Sequence, residues 1–237
     1  MKKIRVILID DERLARQELH RMLAAYPDFE IIAEAANAEE ASQVIVSHQP
    51  DLILLDIQMP GKSGFDLLEM LQQVPEVIFV TAYDQYAVKA FEADALDYIV
   101  KPVRAERFAR VIEKVRNKLN RAPSQQQIFV KDGNRCYFIR LDEISLIESM
   151  ENYARLYFKD TVTYLKRSLN QMETELDPAM FFRINRSQII NTAFIKQVEQ
   201  AENGRLNIIL HDGKLLQVSD RQSVKFKSNN RLKTKFN

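Results

Sequence analysis

Short runs of β-branched and aliphatic residues punctuate the first half of this chain, at Ile4–Ile9, Glu30–Ala33, Leu52–Leu55, Val77–Val80 and Tyr98–Val100. Runs so short and so continuously apolar suit strands buried on both faces, as in a parallel sheet. Helical stretches lie between them, for example Leu14–Ala25 and Ala38–His48. Strict alternation of this kind predicts βα units, with helices covering both faces of the sheet. A final helix over 104–119 carries Phe108, Val111, Ile112 and Val115 at i, i+3, i+4 and i+7. Arg121-Ala-Pro-Ser-Gln-Gln-Gln127 then has no apolar period and reads as a linker.

Beyond it the texture changes. Ile128–Lys131 and Cys136–Arg140 flank Asp132-Gly133-Asn134, a hairpin signal. Further short strands are expected at Ile144–Glu148, Tyr153–Phe158, Thr161–Tyr164, Ile195–Val198, Leu206–Leu210 and Lys214–Val218. One helix, Ser168–Leu176, has Ser168 as its N-cap and stops at Pro178. The chain therefore divides into 1–120, a linker over 121–127, and a mostly β domain over 128–237 with short helices.

At 237 residues, 46% hydrophobic and 28% charged, the composition is that of a globular protein. The single cysteine, Cys136, excludes an internal disulfide and a Cys-rich zinc site. No apolar run approaches the roughly 20 residues that span a bilayer. Asp10 also comes too early for a signal peptide. A cytoplasmic protein with no membrane partner is expected. The net charge of +1 hides an asymmetry: residues 1–120 carry 15 Lys+Arg against 20 Asp+Glu, residues 121–237 carry 19 against 13. A basic second half suits a polyanionic partner, although a mixed solvated surface would look similar.

Ligands of open α/β sheets bind beyond the carboxyl ends of the strands. Those positions here hold Asp10 and Asp11 after the first strand, Asp56 after the third, Thr81 at the end of the fourth and Lys101 after the fifth. With the flavodoxin-like strand order 2-1-3-4-5, the three carboxylates converge. Their mutual repulsion calls for a hard divalent cation such as Mg²⁺. A carboxylate beside Mg²⁺, a lysine and a hydroxyl suits phosphoryl transfer, with the carboxylate as nucleophile. Singly, Asp10 or Asp11 could be a helix N-cap, Thr81 an ordinary strand end and Tyr98 a core residue. A phosphatase with an aspartate nucleophile is the enzymatic rival. It would want two aspartates one residue apart on the first strand, whereas Asp10 and Asp11 are adjacent.

Ile9-Asp10-Asp11-Glu12, Leu55-Asp56-Ile57-Gln58-Met59-Pro60-Gly61, Thr81-Ala82 and Lys101-Pro102 resemble the receiver domain of bacterial two-component response regulators, over about residues 4–119. The resemblance implies that Asp56 is the phosphoacceptor. It implies that Asp10, Asp11, Asp56 and the Gln58 main-chain carbonyl hold Mg²⁺, that Lys101 contacts the phosphoryl group, and that Thr81 and Tyr98 form a switch pair. His20, His48 and His211 do not form a site, so the phosphate would come from a histidine of another protein, a sensor histidine kinase. The chain would not be an enzyme beyond its own phosphorylation and dephosphorylation. A homodimer on phosphorylation is expected through the 84–93, 97–100 and 104–119 face, where Glu92, Asp94 and Asp97 lie near Arg107, Arg110 and Lys114.

Basic residues of the second half gather at Lys166-Arg167, Arg183, Arg186, Arg221, Lys225, Lys227, Arg231, Lys233 and Lys235. No helix-turn-helix, zinc finger or basic zipper is visible, so strands and loops would have to read the duplex. Phe182-Arg-Ile-Asn-Arg-Ser-Gln-Ile-Ile-Asn191 puts Asn185, Arg186, Ser187 and Gln188 between two apolar strands. That segment, with Glu148-Ser-Met-Glu-Asn-Tyr153 and Val218-Ser-Asp-Arg221, resembles the LytTR-type DNA-binding domain of LytR/AgrA-like regulators, over about 128–230. Asn152, Tyr153, Arg167, Asn185, Arg186, Ser187, Gln188, Arg221 and Lys225 are thereby the expected contacts to double-stranded promoter DNA. That family often has His at the position of Asn185, Gly at Glu151 and a basic residue at Asp220; the two carboxylates would repel nearby phosphates. An output domain that binds protein or RNA is the alternative.

Overall fold

The computed structural model describes residues 3–82, 95–121, 126–133, 135–201 and 205–228. The expected helix at 84–93 with Glu92 and Asp94, the linker core 122–125, and Arg231, Lys233 and Lys235 lie outside these. The chain forms two compact units, Met1–Arg140 and Leu141–Asn237.

In the first unit, β1 (Ile4–Ile9), α1 (Arg13–Leu23), β2 (Phe29–Ala35), α2 (Ala38–His48), β3 (Leu52–Leu55), α3 (Gly64–Met70), β4 (Glu76–Thr81), β5 (Asp97–Val100) and α4 (Ala105–Arg121) follow in order. The strands form one parallel sheet in the order β2-β1-β3-β4-β5, as the sequence predicts. Alternate side chains enter opposite cores. Ile7, Ile9, Ile53, Leu55 and Phe79 pack with Ala41 and Ile45 of α2 and Phe65 and Leu68 of α3. Val6, Leu8, Leu52, Leu54, Ile78 and Val80 pack with Leu19 and Leu23 of α1 and with Phe108, Val111, Ile112 and Val115 of α4. Side-chain caps start α2 and α3: Asn37 accepts the Glu40 N–H, and Ser63 and Asp66 form a reciprocal capping box at α3.

The hairpin of β6 (Gln127–Asp132) and β7 (Arg135–Arg140) forms as expected, with Gly133 in the turn at φ +61°. Its packing differs from the sequence division at 121–127. Phe129 stacks on Phe65 with centroids 6.1 Å apart, and Phe138 lies 6.4 Å from Phe79. The Val74 N–H donates to the Gln127 carbonyl at 2.9 Å, and Gln127 Nε2 donates to the Pro75 carbonyl at 2.8 Å. These contacts make the hairpin part of the first unit's core, so the contact boundary falls between Arg140 and Leu141.

The second unit contains β8 (Ile144–Met150), β9 (Tyr153–Phe158), β10 (Thr161–Leu165), α5 (Leu169–Glu175), β11 (Phe181–Asn185), β12 (Gln188–Asn191), β13 (Ile195–Gln200), β14 (Leu206–Leu210), β15 (Leu215–Gln217) and α6 (Asp220–Ser228). One antiparallel sheet runs β10-β9-β8-β12-β11, and a second runs β13-β14-β15. Leu146, Ile184 and Ile190 of the first sheet share a core with Val198, Ile208 and Leu210 of the second and Phe226 of α6. Ser168 caps α5 in a capping box with Gln171. Glu151-Asn152, Lys159-Asp160 and Arg186-Ser187 are two-residue turns between paired strands. Glu151 and Lys159 adopt positive φ of 53° and 48°. That left-handed conformation costs a non-glycine residue roughly 1–2 kcal/mol.

Candidate functional site

Parallel strands end together, and here their ends bring the expected acidic residues together. One carboxylate oxygen from each of Asp10, Asp11 and Asp56 lies within 4.8 Å of the other two. Register fixes this convergence, because Ile9 pairs with Leu55 and the Asp56 N–H donates to the Ile9 carbonyl at 2.8 Å. Asp10 and Asp56 are buried and Asp11 is exposed. The Lys101 ammonium lies 2.7 Å from Asp56 Oδ2 and 2.8 Å from Asp10 Oδ2, bridging both. The other oxygens receive main-chain N–H groups, Glu12 to Asp10 at 3.0 Å and Gln58 to Asp56 at 3.1 Å.

Burial pushes the Asp10 carboxyl above the usual aspartate range, against the opposing pull of Lys101. Burial alone would lower the Lys101 ammonium, yet its contacts with Asp10 and Asp56 outweigh that and hold it above the ordinary lysine value. One lysine faces two buried carboxylates and an exposed third. That donor set is acidic, hard and undercompensated, and so fits a divalent cation.

Thr81 and Tyr98, the expected switch pair, lie on adjacent strands. Thr81 ends β4 fully buried, and its hydroxyl has no hydrogen-bond partner among the described residues. A buried unpaired hydroxyl is costly unless a ligand completes it. Tyr98 is also buried, in the core that contains Phe79 and Phe129. Gly64, the first residue of α3, abuts the loop that carries Asp56: a Cβ there would stand 2.5 Å from the Asp56 carbonyl. Any other residue would have to displace the Asp56 backbone, a constraint that sequence spacing alone did not reveal. The cleft beside Asp11 is lined by Gln58, Pro60 and Ser63 and, from the hairpin, by Lys131 and Cys136. His20 pairs with Glu34, while His48 bonds Ser47 on its own helix, so neither histidine of the first unit joins the carboxylate cluster.

In the second unit the expected DNA contacts separate into two kinds. Asn152, Arg186, Ser187, Arg221 and Lys225 are exposed, and Tyr153 is 43% exposed. Asn152 and Tyr153 stand at the β8–β9 turn, Arg186 and Ser187 at the β11–β12 turn, and Arg221 and Lys225 on α6. Asn185 and Gln188 instead shape their own turn: Asn185 Nδ2 donates to Gln188 Oε1 at 2.8 Å and to the Gln217 carbonyl at 3.0 Å. Gln188 Nε2 in turn donates to Glu148 at 2.7 Å. Arg167, expected to reach DNA, is ion-paired with Glu175 of α5 at 2.7 Å with only 13% of its side chain exposed. Its charge is neutralised at home. Asp220 pairs with Arg205 at 2.7 Å, which holds its carboxyl below the usual range and offsets the repulsion it would exert on phosphate.

A parallel sheet with three carboxylates and a lysine at its carboxyl edge defines a receiver, and the comparisons with known proteins agree. Residues 6–113 match the response regulator receiver domain, and residues 134–230 match the LytTr DNA-binding domain. The chain is 34% identical over 234 residues to the sensory transduction protein LytT of Enterococcus faecalis, covering 94% of this chain and 97% of that protein. It is 33% identical to LytT of Bacillus subtilis, over 91% and 94% of the two chains. To the transcriptional regulatory protein BtsR of Salmonella typhi it is 31% identical, over 92% and 95%. The chain belongs to the LytTR family of two-component response regulators, a receiver followed by a DNA-binding output domain. Among the described residues no helix is long and apolar enough to cross a membrane.

Proposed function

We propose that Asp56 accepts a phosphoryl group from a sensor histidine kinase and that the modified chain binds promoter DNA to regulate transcription in the cytoplasm. The observation that carries the reading is the lysine bridge between Asp10 and Asp56 beside an unpartnered Thr81 hydroxyl. The Asp56 carboxylate attacks phosphorus as the bond to the donor imidazole breaks. Asp10, Asp11, Asp56 and the Gln58 carbonyl would hold Mg²⁺, which when bound offsets negative charge on the phosphoryl oxygens. Lys101 then pairs with a phosphoryl oxygen, and the Thr81 hydroxyl donates to another. Movement of Thr81 is sensed by Tyr98, which sits on the neighbouring strand opposite Phe79, two residues before Thr81.

Phosphorylation is proposed to favour a homodimer through the β5–α4 face. Asp97 already pairs with Arg107 and Lys114 within one chain, while Arg110 is exposed. A two-fold partner can exchange these pairs for intermolecular ones, each worth under about 1 kcal/mol at the surface. Sedimentation with and without a phosphoryl mimic is expected to show a shift in mass. Identical mass in both states at every concentration overturns the dimer.

DNA is read, in this proposal, by Arg186 and gripped by Lys225. Arg186 is the exposed guanidinium of a turn pinned by its neighbours, and such a fork can make two parallel bonds to guanine, discriminating base pairs by about 1–3 kcal/mol. Lys225 is a flexible point charge on α6, suited to phosphate. With duplexes selected from a random pool by the full chain, Arg186→Ala is expected to lower the ratio of specific to non-specific affinity. Lys225→Ala should weaken both alike and reduce the salt slope by about one unit. An unchanged ratio in Arg186→Ala overturns the base-reading role and makes Arg221 the next candidate. Absence of tight, salt-steep duplex binding by wild type favours the protein- or RNA-binding alternative.

A further inference from the structure

The turn that presents Arg186 is held by a second arginine whose charge is directed inward. Arg183 lies on β11 with its side chain 16% exposed. Its Nε donates to the Asn185 carbonyl at 3.1 Å and its Nη2 to the Arg186 carbonyl at 2.8 Å. Its Nη1 donates to Asn170 Oδ1 and to Glu173 Oε2, both at 2.7 Å, on α5. One planar group therefore ties two successive carbonyls of the turn to a helix outside the sheet.

The opposite side of the turn is closed separately. Ser187 donates its N–H and its hydroxyl to Asn185 Oδ1 at 2.9 and 3.1 Å, and Asn185 Nδ2 reaches the Gln217 carbonyl. Only Arg186 among these side chains is left exposed without a hydrogen-bond or ion-pair partner among the described residues.

We propose that Arg183 is a positioning residue for sequence recognition: it fixes the backbone that aims Arg186, and it does not serve as a phosphate-binding cation. The proposal rests on Arg186 reading bases. Two carbonyls held by one rigid fork cannot rotate independently, so the direction of the Arg186 Cα–Cβ bond is set before DNA arrives. Pre-set geometry is what a two-bond contact to a base edge requires, whereas a phosphate contact tolerates a looser mount. Glu173 neutralises the Arg183 charge, which leaves little for the polyanion. A lysine at this position keeps the charge but offers one ammonium in place of the fork, and cannot span both carbonyls and Glu173 in one plane.

The test compares the affinity of the full chain for a selected duplex with its affinity for an unrelated one. Arg183→Lys is expected to lower the ratio of the two by about ten-fold with the non-specific affinity and the salt slope unchanged. Glu173→Ala removes an anchor while making the chain less acidic. A charge-only role for Arg183 predicts tighter binding to every duplex with the ratio intact; positioning predicts a lower ratio. Far-UV circular dichroism and thermal melting matching wild type establish that the fold is retained, and Glu173→Ala carries the test if Arg183→Lys does not fold. A ratio unchanged in the folded variants, while Arg186→Ala lowers it, overturns the positioning role and leaves base reading intact. A ratio unchanged in Arg186→Ala as well overturns base reading itself. A salt slope reduced by about one unit in Arg183→Met, with Arg183→Lys behaving as wild type, identifies a phosphate contact instead.

Discussion

Asp56→Asn is expected to take up no phosphate from a small acyl phosphate in Mg²⁺, whereas wild type gains a phosphoryl group on intact-mass measurement. The amide has the shape of the carboxylate and can still accept the Gln58 N–H, so the loop after β3 keeps its mount. It lacks the negative oxygen that attacks phosphorus, and it lacks the charge that pairs with Lys101 at 2.7 Å. Asp10 cannot replace it. Asp10 is as buried as the core around it, with one oxygen held by the Glu12 N–H at 3.0 Å and the other against Lys101 at 2.8 Å. Asp11 is exposed, so Asp11→Ala is expected to fold normally yet bind Mg²⁺ more weakly and load more slowly, because a hard oxygen is gone. Phosphate incorporation in Asp56→Asn at the wild-type level would falsify the assignment of the phosphoacceptor.

The receiver was legible because strand ends are one-dimensional information. A parallel strand buried on both faces leaves little choice of boundary, and the first polar residue after it falls at the carboxyl edge of the sheet. Asp10, Asp56 and Lys101 are legible in this way, and the register that brings Ile9 opposite Leu55 does the rest. Turn and cap chemistry was equally local, as at Gly133 and Ser168. What failed to show was the identity of distant partners. A basic residue in a β-rich domain can face DNA or a neighbouring carboxylate, and nothing near Arg167 says that Glu175 will turn back to meet it from α5. Arg183 was visible only as one more charge, since its ligands are main-chain carbonyls that no pattern encodes. The close approach of Gly64 to the Asp56 carbonyl is likewise a tertiary fact. The β6–β7 hairpin was recognised as a hairpin, but Ile128, Phe129 and Val130 announce burial without naming what buries them.

Phe129→Ala is expected to destabilise the receiver by about 3–5 kcal/mol, the range for removing a phenyl ring from a packed interior. Phe129 is fully covered, stacked on Phe65 of α3 and edge-on to Phe138 with centroids 5.1 Å apart. Phe79 closes the group, 5.1 Å from Phe65. Truncation opens a cavity among rings fixed to three different elements, so little collapse can refill it. A domain of this size has only about 5–15 kcal/mol of net stability, so a large share would vanish. The same substitution would spare the receiver if the hairpin belonged to the output domain alone. Urea unfolding of the full chain distinguishes the two, because Mg²⁺ with a phosphoryl mimic raises the transition of the unit that binds it and thereby labels the receiver. Phe129→Ala should lower that labelled transition. If instead the labelled transition stays at its wild-type midpoint while the other falls, the hairpin's packing stabilises the DNA-binding half, and Phe65 and Phe79 hold the receiver without it.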